Sequence, residues 1–513
     1  MKRSVLTWFA MGILLSLFAS AANPGRSERL QAFIARAEAG EAEAQFHLAM
    51  MYGRGEGVPK DYAEAVKWCR KAAEQGHAAA QTQLGTAYLY GIGVPKDHTE
   101  ATKWLHRAAA QGDAQAQYNL GLMYKNGEGV AQDSIEAVKW FRQAAEQGEG
   151  IAQNDLGIAY ANGEGVPRDV VAAVKWYRQA AEAGTANAQY NLAVLYDKGE
   201  GVPRDSGEAA KWYRQAAEQG MAYAQFNLGL AYTNGTGVPR DSGAAVKWLR
   251  QAAEQGYAPA QCSLGVMYRT GNGVPEDSAA AASWFHKSAE QGYAIGQSNF
   301  GLMFANGEGG VPQDSAQAVQ WYRKAVVQGD ANGQFNLGVM YAKGDGVPKD
   351  NAEALRLFQQ AAEQGNANAQ SMLGGMYAIG TESVAKNSAE AMKWLRKAAE
   401  QGFAHAQYNL GVIYQTGNGV PRDITQAVIW FRKAALQGEA NAQCNLGLMY
   451  FNGEGLFPDP IEGFAWVSIA ARSGNDPLRK NQTMLEGRMG TEAIRAAHQR
   501  SQAILKEIEA AAK

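Results

Sequence analysis

Ala116-Gln117-Tyr118-Asn119-Leu120-Gly121-Leu122-Met123-Tyr124-Lys125-Asn126-Gly127-Glu128-Gly129-Val130 decides the fold, together with the Asp133-to-Gly148 stretch that follows it. Leu120, Gly121 and Tyr124 fall three, four and seven residues after Gln117, so all share one face of a helix. Gly121 is small, which predicts that a bulky side chain of the Trp140 class approaches closely. Gly127 stands where a left-handed residue closes a helix. Gly129 lets the loop turn again, and Val130 returns an apolar anchor to the core. Asp133 and Glu136 have the spacing of a capping box opening a second helix. Ala137, Trp140, Ala144 and Ala145 give that helix an apolar stripe, and Gly148 ends it. The unit is helix, short loop, helix, tight turn, and no long period-two alternation suggests a strand.

Working outward, the same unit recurs. Gln45, Gln81, Gln117, Gln153, Gln189, Gln225, Gln261 and Gln297 step by 36 residues; Gln334, Gln370, Gln407 and Gln443 continue with two one-residue insertions. Trp68, Trp104, Trp140, Trp176, Trp212, Trp248, Trp284, Trp321, Trp394, Trp430 and Trp466 keep pace, with Leu357 in the ninth repeat. Asp61, Asp97, Asp205, Asp314, Asp350, Asp423 and Asp459 repeat the cap, and Pro460 suits the first helical position. A single hairpin of this size cannot bury its own apolar face, so neighbours must stack. The expected fold is all-α: an α/α superhelical solenoid of about twelve 36-residue helix-loop-helix repeats over 41–474. A capping helix is expected within 23–40 (Ser27 to Ala39). Two more are expected in 475–513, at Pro477 to Gly487 and Thr491 to Ala511.

The pattern Ala-Gln-x-x-Leu-Gly-x-x-Tyr-x-x-Gly-x-Gly-Val, then Asp, Ala, Trp and Ala-Ala-x-x-Gly, resembles the Sel-one-like repeat family, a longer-looped relative of tetratricopeptide repeats. The resemblance runs from Glu41 to about Gly474. It implies an adaptor or scaffold and, in bacteria, frequent export with links to envelope biogenesis, signalling or host contact. Exported members with a disulfide in each repeat are less similar, because this chain has only Cys69, Cys262 and Cys444. The repeat arithmetic sets those three about five repeats apart, roughly 50 Å at about 10 Å per helix layer. That is too far for a disulfide, so they read as small buried side chains.

Met1-Lys2-Arg3, the uncharged Val5 to Phe18, and Ala19-Ser20-Ala21 have the layout of a secretory signal over 1–22, too short for a comfortable membrane span. An uncleaved anchor is the alternative. The mature chain is expected to start near Ala22 or Asn23, without a stable membrane span, in the periplasm or outside the cell. With 48 basic and 50 acidic residues interspersed, the chain lacks the basic excess of a nucleic-acid binder.

Catalytic signatures fail for want of context. Gly127-Glu128-Gly129 lies between helices, with no strand before it or Lys-Ser/Thr after it, so it is not a phosphate loop. Ser383-Val384-Ala385-Lys386 matches Ser-x-x-Lys, but the companion Ser-Asp-Asn and Lys-Thr-Gly elements are missing. His47, His77, His98, His106, His286, His405 and His498 form no metal-binding pair. Neither a catalytic residue, a metal nor a cofactor is expected, and the protein does not read as an enzyme.

The alternative to a catalyst is display. At about 100° per residue, the second and ninth positions after the reference Gln lie opposite it. Asn119, Asn191, Asn227, Asn336 and Asn409 hold the second position, flanked by Tyr118, Tyr190, Phe226, Phe335 and Tyr408. The resemblance places first helices on the concave side, so these residues are the expected groove for a protein or peptide. Asn both donates and accepts, and aromatics anchor at low entropic cost. Equally, the Asn could bond a neighbouring repeat and the aromatics pack between helices. Gly310, Leu357 and the irregular Gly380 to Asn387 loop mark repeats eight to ten as a bend, a distinct contact segment or drift. The leading reading is an exported interaction scaffold. The alternatives are a cell-wall-directed, β-lactamase-like hydrolase or a passive spacer.

Overall fold

The asparagine and glycine punctuation resolves into hairpins with a common construction. The computed structural model describes residues 25–381 and 384–511. The proposed signal segment and Ser383 of the Ser-x-x-Lys match lie outside the described residues. Among the described residues there are 27 α-helices, and the only bridge is Thr381 with Val384 in the irregular tenth loop. The fold is an α/α solenoid of twelve helical-hairpin repeats.

Repeat three shows how one hairpin is made. Its first helix, Ala114–Asn126, starts at Asp113, whose carboxylate accepts from the Ala116 N–H, and stops at Gly127 in the left-handed region (φ 72°). The Gly127 N–H donates to the Met123 carbonyl, and Asp133 N–H reaches back to the Tyr124 carbonyl at 2.9 Å. Asp133 then caps the second helix, Ser134–Glu146, accepting from Ile135 and Glu136 N–H. The expected capping box is therefore only half made. The Asp133 N–H is already taken by Tyr124, so Glu136 turns outward and pairs with Lys139 at 2.8 Å.

Packing within a hairpin depends on the glycine four residues after the reference Gln. A Cβ on Gly121 would lie 2.5 Å from Phe141, and one on Gly157 would lie 2.6 Å from Tyr177. The neighbour is thus the residue after the tryptophan, not the tryptophan itself as the sequence reading expected. Phe141 is 2% exposed, whereas Trp140 is only half-buried. Several of the tryptophans carry a cation over the ring, as Lys324 does over Trp321 at 3.7 Å. Leu357, in the ninth repeat, is fully buried.

Packing between repeats uses the second loop glycine. A Cβ on Gly165 would sit 2.1 Å from the Ser134 carbonyl, at the start of the preceding repeat's second helix, and Gly165 has φ 71°. Tyrosines add a bond of constant span. Arg142 donates to Tyr160 at 2.7 Å, Arg178 to Tyr196 at 2.8 Å and Arg396 to Tyr414 at 2.7 Å, each across 18 residues.

The reference glutamines are buried and form a polar spine. Gln117 Nε2 donates to the Ala109 carbonyl at 3.3 Å, and its Oε1 accepts from Gln147 at 2.7 Å. The Ala109 carbonyl, in the last turn of its helix, also accepts from the Gly112 N–H at 2.9 Å, so the glutamine uses its second lone pair. Gln81 is held in the same way by Ala73 and Gln111. The fourth repeat breaks the spine: Ala183 replaces the donor, and Gln153 Oε1 is left without a partner.

Two compact units divide at Ala252 and Ala253. The first begins with the helix Gly25–Glu38 and contains the hairpins up to the helix Ser242–Glu254, whose last two residues fall in the second unit. The second runs from Ala258–Thr270 through Pro460–Ala471 to the helices Asp476–Glu486 and Thr491–Ala511. At its end, Gly463 to Ala471 are all buried, and Arg500 Nε pairs with Glu462 at 2.6 Å. Asn481 donates to Cys444 Sγ at 3.2 Å across 37 residues. Asn299 to Cys262 and Asn191 to Asn154 span the same 37 residues, so Asp476–Glu486 stacks as another first helix would.

Candidate functional site

The surface opposite the glutamine spine belongs to the first helices. Asn119 is buried, donates to Thr86 Oγ1 at 3.2 Å and accepts from Gln115. Asn191 donates to Asn154 Oδ1 at 3.0 Å. Both bonds reach the preceding repeat, so these two residues hold repeats together as well as lining the face. Asn227, Asn336 and Asn409 are half-buried, and Asn227 lies within hydrogen-bonding reach of Tyr213.

The aromatics flank the face and lean on the second helices. Tyr118 sits 5.7 Å from Phe141, Tyr190 5.8 Å from Tyr213, Phe335 5.8 Å from Phe358 and Tyr408 6.0 Å from Phe431. Phe226 is likewise half-buried. The reason is angular: one residue after the Gln is about 100° round the helix, beside the neighbouring helix and not opposite the core.

Part of the openly exposed face comes from rows the sequence reading did not single out. Positions two before and five after the Gln fall in the same arc as the asparagines. Ile151, Tyr223 and Ile295 occupy the first row at 46%, 55% and 41% exposure. Leu122, Val194, Val339 and Val412 occupy the second and are half-buried. The second row carried a usable signal, with Val or Leu in eight of the twelve repeats, whereas the first row is mixed and its commonest residue is Asn.

Charge on the face is sparse: Glu43 pairs with His77 at 2.9 Å, Lys198 and Lys343 hold the ninth position, and one carboxylate lies in the asparagine row. Asp155 holds the row that is otherwise mostly asparagine. It accepts from the Tyr118 hydroxyl at 3.0 Å and from Asn154 at 3.2 Å. Burial raises its pKa above the usual carboxylate value, although these hydrogen bonds oppose the shift. Burial also raises the Tyr118 and Tyr213 hydroxyls, so both remain neutral donors at physiological pH. A cavity of about 440 Å³ beside Asn191 is lined by Asn162, Arg168, Lys198 and Glu200. Glu200 lies 4.0 Å from each of the two cations.

Cys69, Cys262 and Cys444 are buried free thiols, and burial pushes Cys69 and Cys262 up to about 12. Among the described residues, no group of three His, Cys, Asp or Glu could hold a metal ion. None of the described helices is long and apolar enough to cross a membrane.

Twelve consecutive stretches match the Sel1 repeat: 42–77, 78–113, 114–149, 150–185, 186–221, 222–257, 258–293, 294–330, 331–366, 367–403, 404–439 and 440–475. Among solved structures, the chain is similar to c5321, a protective antigen present in uropathogenic Escherichia coli strains displaying an SLR fold. Identity is 36%, covering 93% of this chain and 95% of that chain, with a TM-score of 0.60. A Sel1 repeat protein from Oxalobacter formigenes is also 36% identical, covering 60% of this chain and 90% of that chain, with a TM-score of 0.46. No curated protein matches the chain.

Proposed function

The chain belongs to the Sel1 repeat family, and from that premise we propose that it is an exported scaffold whose first-helix face binds an extended protein segment. Sel1 repeat proteins generally mediate protein–protein interaction, and their solenoid is typically a non-catalytic scaffold. The supporting observation is the sparsely charged, half-exposed first-helix face of each unit, carrying exposed Ile151 in the first and Ile295 in the second. Such a face gains affinity by covering apolar anchors, while its asparagines satisfy the partner's backbone. The partner is a protein or peptide and not a nucleic acid, because the face has no basic row to meet phosphates.

Export rests on Met1-Lys2-Arg3 and the uncharged Val5 to Phe18, and the antigenic relative in Escherichia coli suits a chain accessible from outside. Mass spectrometry of the chain recovered from the cell envelope should give an N-terminus at Ala22 or Asn23; an intact Met1 would refute cleavage.

Crosslinking in intact cells tests binding. The combined variant Tyr190→Ala, Asn191→Ala, Asn227→Ala should lose most crosslinked partner while keeping its helicity. Ile151→Asp with Ile295→Asp, which breaks no bond of the fold, should do the same. Undiminished crosslinking in both variants would rule out the first-helix face.

A further inference from the structure

The first helix of repeat ten, Ala367–Ile379, departs from its neighbours along one line. Met372 stands where most repeats have asparagine and is 42% exposed; Ile379, two turns on, is 81% exposed. Between them lies the Gly374-Gly375 pair. Gly374 does the packing job of its row, since a Cβ there would lie 2.5 Å from Leu395. Gly375 has no such job, because a Cβ there would meet nothing within 4 Å. At the same register, Val339 and Val412 stand in the repeats on either side. One aliphatic side chain is therefore missing from an otherwise filled row, and exposed apolar side chains mark both ends of the gap.

Charge indicates what fits. The helix Ala367–Ile379 has no charged side chain. One repeat earlier, in Ile379's row, is Lys343, exposed and making no ion pair among the described residues. Neighbouring helices pack about 10 Å apart. An extended chain advances about 3.3 Å per residue, so about three residues cover that distance.

We propose that the Gly375 gap is a side-chain receptor for an extended segment with an aliphatic residue three positions from an acidic one. The aliphatic side chain enters between Met372 and Ile379, flanked by Val339 and Val412, and the carboxylate meets Lys343. This deepens the docking reading and rests on it: the asparagine rows hold backbone, and repeat ten selects sequence. The irregular Gly380-to-Asn387 loop follows this helix directly.

The test uses the full chain with ¹³C-labelled methionine methyl groups and nine-residue peptides carrying Asp and Leu three residues apart in a Gly/Ser background. The Met372 and Met376 signals should shift on titration. Gly375→Val fills the gap with the neighbouring repeats' own residue, so it keeps the fold. It should weaken binding about tenfold, the loss expected for one buried aliphatic side chain. Lys343→Asn should weaken binding about threefold and remove its salt dependence, as expected for an exposed ion pair. Equal titration of wild type and Gly375→Val would overturn the proposal. So would shifts at Met50 or Met51 of repeat one without shifts at Met372, but that result would leave the docking face standing. If a pooled nine-residue peptide library moves no first-helix methionine, the docking reading itself falls.

Discussion

The break in the glutamine spine offers a gain-of-stability experiment. In repeat three, Gln147 closes the second helix and donates to Gln117 at 2.7 Å. In repeat four, the same place holds Ala183, and Gln153 Oε1 is buried with no donor. The backbone at Ala183 (φ −75°, ψ 0°) nearly matches Gln147 (φ −85°, ψ 1°), so glutamine fits without strain. A buried acceptor without a partner costs about 1–3 kcal/mol. Ordering the new side chain, which stays partly exposed, recovers about 1 kcal/mol less than that. Ala183→Gln should therefore stabilise the junction by about 1 kcal/mol, or about fivefold in the opening equilibrium. Because repeat arrays melt with limited cooperativity, amide hydrogen exchange in Gly150–Asn162 and Val170–Glu182 is the suitable assay. Protection should rise locally and stay level in distant repeats. Repeating the substitution beside Gln153→Leu should abolish the gain. An unchanged exchange rate, or the same gain without Gln153, would refute the reasoning.

The adjacent glycines of repeat ten should respond with opposite signs. Gly374→Ala forces its Cβ against Leu395 and should cost about 1–3 kcal/mol. Gly375→Ala enters open space and should gain about 0.5–1 kcal/mol from helix propensity, both read from urea midpoints. At the second-helix cap, Asp133→Ala should cost about 1 kcal/mol. Glu136→Ala should cost only a few tenths, because its side chain makes an exposed pair with Lys139 and no cap; equal losses would mean that the box is made. For Asp155, the folded pKa is raised above 3.8. Its contribution is thus fully favourable below the ordinary carboxylate range and is lost as pH rises through the folded pKa. The difference in exchange protection between wild type and Asp155→Asn should accordingly vary with pH over that window; a pH-independent difference would exclude the titration.

Periodicity made the hairpin legible because Gln117, Leu120, Gly121, Gly127 and Asp133 each have one geometric role that returns in nearly every repeat. Which of two adjacent aromatics points inward was not legible. Trp140 and Phe141 are only about 100° apart on the helix, and the choice is made by Gly121 opposite them. The half-made cap was hidden for a similar reason, since the donor on Asp133 is taken by Tyr124 through a loop closure that no local motif encodes. In the candidate site, the arc was read through too few rows. Asn119 and Asn191 drew notice by recurring, whereas Ile151, Ile295 and the missing side chain at Gly375 are visible only as departures from a row. That Asn191 bonds Asn154 of the preceding repeat depends on helix spacing, which the sequence does not state.

The bonds that hold the array together have short, fixed spans: 8 residues from Gln117 to Ala109, 18 from Arg142 to Tyr160, 30 from Gln147 to Gln117 and 37 from Asn191 to Asn154. Each is completed by residues at most about one repeat back along the chain. Contact order therefore stays low however many repeats are added, and folding need not wait for the far end of the chain. A hairpin arriving in an unfolded state, from a ribosome or through a membrane pore, finds its whole template already in place behind it. Length in such a molecule is consequently a free variable: one whole repeat can be inserted or removed while the bonds within each remaining hairpin keep their spans.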